Sequence, residues 1–223
     1  MTIQKRIGVV LIPIALGGVV QAQVAPIRSY TEAHREELTG RFRDFLSIPN
    51  VAADPAGLKQ NADFLLSALR ERGVETRLLT VAGAPPAVYG EIRTPGAVHT
   101  IVLYAHYDGQ PVTPSEWETP PFTPELRTVN GELRIYARGA GDDKAAIFAQ
   151  LTALDAMKAA GIHPRANVRF VWEGEEEAGS PHLEQILNAN RDAVHGDVWL
   201  ICDGPVDQSG KQTVVFGARR CAR

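Results

Sequence analysis

Cysteine is nearly absent from this chain: among 223 residues only Cys202 and Cys221 carry a thiol. A disulfide-stapled scaffold is thereby excluded. Charge of one sign is missing too, because 23 basic residues stand against 26 acidic ones, for a net charge of −3. No long single-sign run occurs, which argues against nucleic-acid and membrane-surface binding, both of which need a basic patch. Neither phosphate-cradling pattern, GxGxxG or GxxxxGK[ST], is present. There is no internal repeat and no low-complexity segment. The hydrophobic share of 44% and charged share of 22% are those of a globular chain, excluding disorder and collagen-like repeats. The length corresponds to one large domain or a domain and a half. A soluble enzyme or a soluble binding domain remains.

The first residues resemble a targeting segment. Lys5-Arg6 precedes an apolar stretch, Ile7 to Val20, that ends in Val20-Gln21-Ala22, with small residues where signal peptidase needs them. The stretch is shorter than the roughly 20 residues that span a bilayer. The expectation is a signal peptide over 1–22, cleavage after Ala22, a linker over 23–30, and an exported protein, periplasmic or extracellular.

Beyond it, helical and strand patterns alternate. Ser29-x-x-Glu32 is a capping-box pattern before Leu38, Phe42, Phe45 and Leu46, which share one helical face, and Pro49 stops that helix. A second helix carries Leu58, Ala62, Leu65, Leu66 and Leu69 and closes at Gly73. Strands are expected at 74–81, 87–92, 100–105, 133–137, 167–173 and 197–202, with loop across 109–131. A helix is expected at 144–160 and a short one from about His182. This order predicts an α/β domain whose mostly parallel sheet is flanked by helices. Ligands of such sheets bind beyond the carboxyl ends of the strands.

Metal-ligand residue types follow the expected strands. The apolar run TIVLYA ends in His106-Tyr107-Asp108, whose first and third side chains point the same way. An Asp that accepts from one imidazole nitrogen leaves the other free for a metal. Asp142-Asp143 opens the helix of residues 144–160, where acids also serve as caps. The strand NVRFVWE continues into Gly174-Glu175-Glu176-Glu177, a crowd of carboxylates that needs a cation or a proton to separate them. VWLIC runs into Asp203. Each feature has a bland alternative as a turn, a cap or a solvated acidic loop. Together they favour a site of oxygen and nitrogen ligands suited to zinc, with cobalt or manganese as substitutes. The surplus of carboxylates fits two ions sharing a bridging Asp.

HYD, the segment Trp117-Glu118-Thr119-Pro120-Pro121-Phe122, then RGAGDDK, EGEEEAGS and Asp203 occur in one order. That order resembles the co-catalytic zinc metallopeptidase family of carnosinases, glutamate carboxypeptidases, aminoacylases and desuccinylases, the M-twenty peptidases, and its dipeptidase branch in particular. The resemblance implies that His106 and Asp203 bind one zinc, Glu177 binds a second, and Asp142 bridges both. It makes Asp108 the residue that orients His106 and Glu176 the general base; spacing alone does not separate Glu176 from Glu177. It implies hydrolysis of small peptides or N-acyl amino acids, with no nucleic-acid or membrane partner. Ala137 and Ala145 stand where the family usually has glycine.

In the family, the segment like Gln212 to Gly217 opens a lid and dimerisation domain, and a last His ligand comes later. The expectation is a catalytic domain over 31–211 and the start of a lid over 212–223. The chain is accordingly expected to be C-terminally truncated and a homodimer only where the lid is present. His182 is a weaker stand-in for the missing ligand; His34, His99, His163 and His195 have no acidic cluster near them. An inactive fragment that binds metal or partners, or a related zinc aminopeptidase, are the alternatives.

Overall fold

Apolar spacing and Pro/Gly punctuation set most of the elements. A computed structural model describes residues 16–204, with side chains from residue 24 onward. In chain order the helices and strands are α1 (Leu16–Ala33), α2 (Arg35–Leu46), α3 (Pro55–Glu71), β1 (Glu75–Leu79), β2 (Ala87–Ile92), β3 (Thr100–His106), β4 (Glu125–Val129), β5 (Glu132–Tyr136), α4 (Lys144–Ala159), β6 (Asn167–Glu173), α5 (Leu183–Ala189), α6 (Arg191–Val194) and β7 (Val198–Ile201). Helix α3 shows how local chemistry fixes boundaries. Asp54 Oδ1 accepts from Ala56 N at 3.1 Å, Pro55 occupies the first turn, and Gly73 follows the end at φ +77°. Its Leu58, Leu65, Leu66 and Leu69 are buried, each contributing about 1.5–3 kcal/mol of transfer free energy.

Five strands form one sheet in the order β1-β2-β6-β3-β7. β6, β3 and β7 are parallel, whereas β1 and β2 pair antiparallel with each other and β2 with β6. The sheet is therefore mixed rather than mostly parallel. The link between β1 and β2 is too short for a parallel crossover, which takes a dozen residues or more. One face is covered by α3 and α4, with Phe45, Ile147, Leu151, Phe170 and Trp172 in the core. The other is covered by α5 and α6, with Tyr89, Val102, Val171 and Ile186. That two-sided cover explains the continuous apolar run of β3.

Two N-terminal expectations, the linker over 23–30 and the capping box, are corrected. Val20-Gln21-Ala22 and the residues expected as a linker lie inside α1, which runs unbroken through the expected cleavage point and packs on α4. Ser29 and Glu32 sit near the end of that helix, so they form no capping box. The chain breaks instead at His34, which precedes α2. Among the described residues, no helix is long and apolar enough to cross a membrane. Lys5-Arg6 and the segment Gln212 to Gly217 lie outside the described residues. So does Cys221.

Glu91 on β2 faces Arg169 on β6 in register. Its carboxylate accepts from Arg169 Nε at 3.0 Å and from Arg93 Nε at 3.0 Å. Burial raises its pKa, but the two guanidinium partners outweigh that and hold it below the ordinary 4.5. A depressed carboxyl stabilises the fold above its unfolded value, and that contribution is lost as pH falls through the folded one. Glu91→Gln is expected to lower the Tm at pH 7, with the gap closing below the usual glutamate range. A gap of constant size down to acid pH, followed by circular dichroism, would contradict the pairing.

Candidate metal centre

The parallel part of the sheet brings three chain segments to one edge. Ala105 pairs with Trp172 and His106 with Glu173 across β3 and β6. Tyr104 pairs with Ile201 across β3 and β7. Two residues beyond that second pair lie His106 and Asp203. Register alone thus sets the imidazole beside the Asp203 carboxylate, at the carboxyl ends of the strands. The loop before α4 then delivers Asp142 to the same point.

His106 is fully buried, and its Nε2 lies 3.0 Å from Asp142 Oδ1, 3.8 Å from Asp203 Oδ2 and 3.8 Å from Glu176 Oε2. Its Nδ1 lies 3.3 Å from Asp108 Oδ1. Burial opposes a charge on this ring, yet Asp108, Asp143 and Glu176 overcome it and hold the imidazole protonated up to about 10. The nitrogen and oxygens of His106, Asp142 and Asp203 lie within 4.8 Å of one another. One nitrogen and two carboxylates converging on a point suit a divalent cation of zinc type, which would take the place of the proton among mutually repelling acids. The only described thiol, Cys202, is not in this group.

Asp108 does more than the sequence reading gave it. Besides facing His106, its two oxygens accept the backbone amides of Glu176 (3.1 Å) and Glu177 (2.9 Å). One buried carboxylate therefore ties the end of β3 to the turn at Glu176–Ala178. The turn is pinned from its other side by Glu175, which accepts from His182 N at 2.9 Å. His182 Nδ1 also contacts Glu175, at 2.9 Å, so His182 anchors the turn and is no part of the metal group. Glycine is required at 174, because a Cβ there would come within 2.3 Å of the Tyr107 hydroxyl. The Glu176 carboxyl is raised above its ordinary value, chiefly by burial, with Asp203, Glu177 and Asp108 adding to it against His106.

Glu177 is not brought to the group. Its carboxylate accepts from Gln110 Nε2 instead. The structure therefore assembles His106, Asp142 and Asp203 and leaves Glu177 to one side, next to Asp108 through its amide. Sequence reasoning also passed over Asp143, whose buried carboxylate accepts from His106 N at 3.2 Å. Burial above all, with the charges of Asp203 and Asp142, pushes this carboxyl up to about 7 despite the bond from His106. Asn50 was missed as well: its Nδ2 donates to Tyr107 O at 2.9 Å and its O accepts from Gly109 N at 2.8 Å, which fixes the chain on either side of Asp108. No local motif marks Asn50; the doubled acid of DDK is the signal that could have found Asp143.

Residues 102–217, just over half of the chain, match the family model described as Peptidase family M20/M25/M40. The chain belongs to this peptidase family. It is 29% identical over 200 residues to a Cys-Gly metallodipeptidase of Schizosaccharomyces pombe, covering 83% of this chain and 41% of that one. It is 25% identical over 216 residues to the human Beta-Ala-His dipeptidase, covering 89% and 42%. Among solved structures it resembles an M20 family metallo-carboxypeptidase of Sulfolobus solfataricus, at TM-score 0.69 and 34% identity over 78% of this chain and 39% of that one. It also resembles human carnosine dipeptidase 1, at TM-score 0.70 and 25% identity over 81% and 41%. The chain thus spans about two-fifths of the length of these M20 relatives. The family and its catalytic-domain fold agree with the reading of the motifs. The expectation of export finds no support in these dipeptidase relatives and is withdrawn.

Proposed function

We propose that this chain carries the ligand set of a metal-dependent hydrolase that cleaves the amide bond of dipeptides, C-terminal residues or N-acyl amino acids. The observation that carries the reading is the convergence of His106, Asp142 and Asp203 at the ends of parallel strands in an M20 domain. The printed names of the relatives, a Cys-Gly and a Beta-Ala-His dipeptidase, favour small dipeptides within that range. In this reading His106, Asp142 and Asp203 would hold one zinc, and Glu177, released from Gln110, would join Asp142 in holding a second ion. Bound zinc would activate water and polarise the scissile carbonyl.

The protein's own groups do the rest. Glu176, 3.8 Å from His106 Nε2 and partly shielded from solvent, accepts a proton from the attacking water at its carboxylate. A carboxyl raised above its ordinary value holds that proton better and then delivers it to the departing amine nitrogen. Asp108 fixes the His106 ring and, through the amides of Glu176 and Glu177, the distance between ligand and base. Homodimer formation is assigned to a lid domain, not to the residues described here.

The test is amino-acid release from Cys-Gly, β-Ala-His and N-acyl amino acids by the purified, zinc-loaded protein. Turnover that a chelator abolishes and zinc restores is expected. Zinc binding without any hydrolysis would favour the alternative, a chain that only binds metal. Asp142→Ala is expected to weaken zinc binding by at least about a hundredfold, the upper range for groups that merely support ligands. Equal zinc content in both proteins by elemental analysis would remove Asp142 from the ligand set.

A further inference from the structure

Lys144 opens α4, one residue after Asp143, and its side chain is fully buried. Its Nζ donates to Phe45 O at 2.9 Å and to Ile48 O at 2.8 Å, and lies 4.5 Å from the centre of the Phe45 ring. Those carbonyls lie at and just beyond the end of α2, where the helical amides run out; Phe45 O otherwise accepts only a long bond from Ile48 N at 3.4 Å. Among the described residues no carboxylate forms an ion pair with this amine. The negative end of the α2 dipole and an aromatic face stand in for a counter-ion. An apolar side chain would fill the same space without desolvating an amine, so packing alone does not account for lysine here.

The surroundings give the amine a use. Its stem lies beneath the RGAGDD loop: a Cβ on Gly139 would stand 3.4 Å from Lys144 Cγ and Cδ. Gly139 itself is left-handed, at φ +76°, so the loop turns tightly over the stem. The loop is thus held at two points, by Lys144 to the end of α2 and by Asp143 to the end of β3. Asp142, within that loop, lies 3.0 Å from His106 Nε2 through its Oδ1.

We propose that Lys144 is a positioning residue of the metal group: by docking the start of α4 on the C-terminal carbonyls of α2, it sets where Asp142 meets His106 and Asp203. The inference rests on the metal-site reading above. It assigns Lys144 no contact with metal or substrate.

The experiment compares zinc affinity, by competition with a chromophoric chelator, and the visible spectrum of the cobalt(II) form in the wild type, Lys144→Met, Lys144→Arg and Ile147→Val. Ile147 is a buried residue one turn along α4 in the apolar core and is not one of the residues assigned to the metal, so its variant reports on loosened packing. All measurements are made well below each protein's Tm. Lys144→Met is expected to lose about 10- to 100-fold in affinity, the usual effect of a group that orients a ligand, with an altered cobalt spectrum. Lys144→Arg, which can still donate to the two carbonyls, recovers part of that loss. Ile147→Val lowers the Tm and leaves affinity and spectrum unchanged. If Lys144→Met does not fold, Lys144→Arg and Lys144→Gln carry the comparison, with the greater loss expected for Gln. Wild-type affinity in the folded Lys144 variants would overturn the positioning role and leave the metal site standing. Absence of metal binding by the wild type would overturn both.

Discussion

Replacing Glu176 by Gln is expected to lower turnover on dipeptides about 10²- to 10⁴-fold, the usual contribution of a general base. Zinc affinity should change by no more than a few-fold, because the group that converges on one point is His106, Asp142 and Asp203. The isosteric amide leaves the backbone amide of residue 176 on Asp108, so the turn keeps its place. Glu177→Gln should act in the opposite way, weakening binding of a second zinc equivalent more than it slows proton transfer. Steady-state kinetics on the zinc-loaded proteins, with parallel zinc titrations, separates the two. Should Glu177→Gln abolish proton transfer while Glu176→Gln weakens metal binding, the roles within this acidic run are shifted by one residue.

The second large effect is on stability. Trp172 on β6 is fully buried, packs edge-on against Phe170 at 5.5 Å between ring centres, and donates from Nε1 to Gln150 Oε1 at 2.8 Å. Trp172→Ala opens a cavity in the face covered by α4 and strips Gln150 of its partner, at a cost of about 3–5 kcal/mol. For a chain of this size that lowers the Tm by roughly 10 °C or more. Trp172→Phe keeps most of the ring volume and should recover over half of the loss, the hydrogen bond itself being worth about 1 kcal/mol. Thermal unfolding checks both variants. A change of only a degree or two for Trp172→Ala would mean that this face of the sheet is not the core described.

The sheet's centre was readable because its signals are local. TIVLYA and NVRFVWE are apolar runs bounded by polar residues, and each lies where a strand forms. The ligand types at their ends follow from the same reading, since a parallel sheet collects whatever follows its strands. Two things were not legible for different reasons. Strand β5 lies where a strand was expected, but β4 hid in the proline-rich stretch expected as loop, although Asn130-Gly131, at φ 53° and 81°, is a strong hairpin-turn signal between ELRTV and ELRIY. The break at His34 and the run of α1 through Pro26 have no such local mark; α1 is set by packing on α4, which overrides the Ser29–Glu32 pattern.

The site was legible as a set of residue types and not as a geometry. The family resemblance, not spacing, makes Glu177 a ligand of a second ion; in the structure its carboxylate accepts from Gln110, one residue beyond Gly109. Asp143 and Lys144 read as a cap and a helix start. Their burial against His106 and the end of α2 depends on contacts 37 and 99 residues away in sequence, which no spacing rule reports.

The most direct test of the metal centre is zinc K-edge X-ray absorption on the purified protein with one equivalent of zinc. The account predicts a first shell of oxygen and nitrogen at about 2.0–2.2 Å, with multiple scattering from a single imidazole that disappears in His106→Ala. A sulfur shell at about 2.3 Å, or an unchanged imidazole signal in His106→Ala, would contradict it.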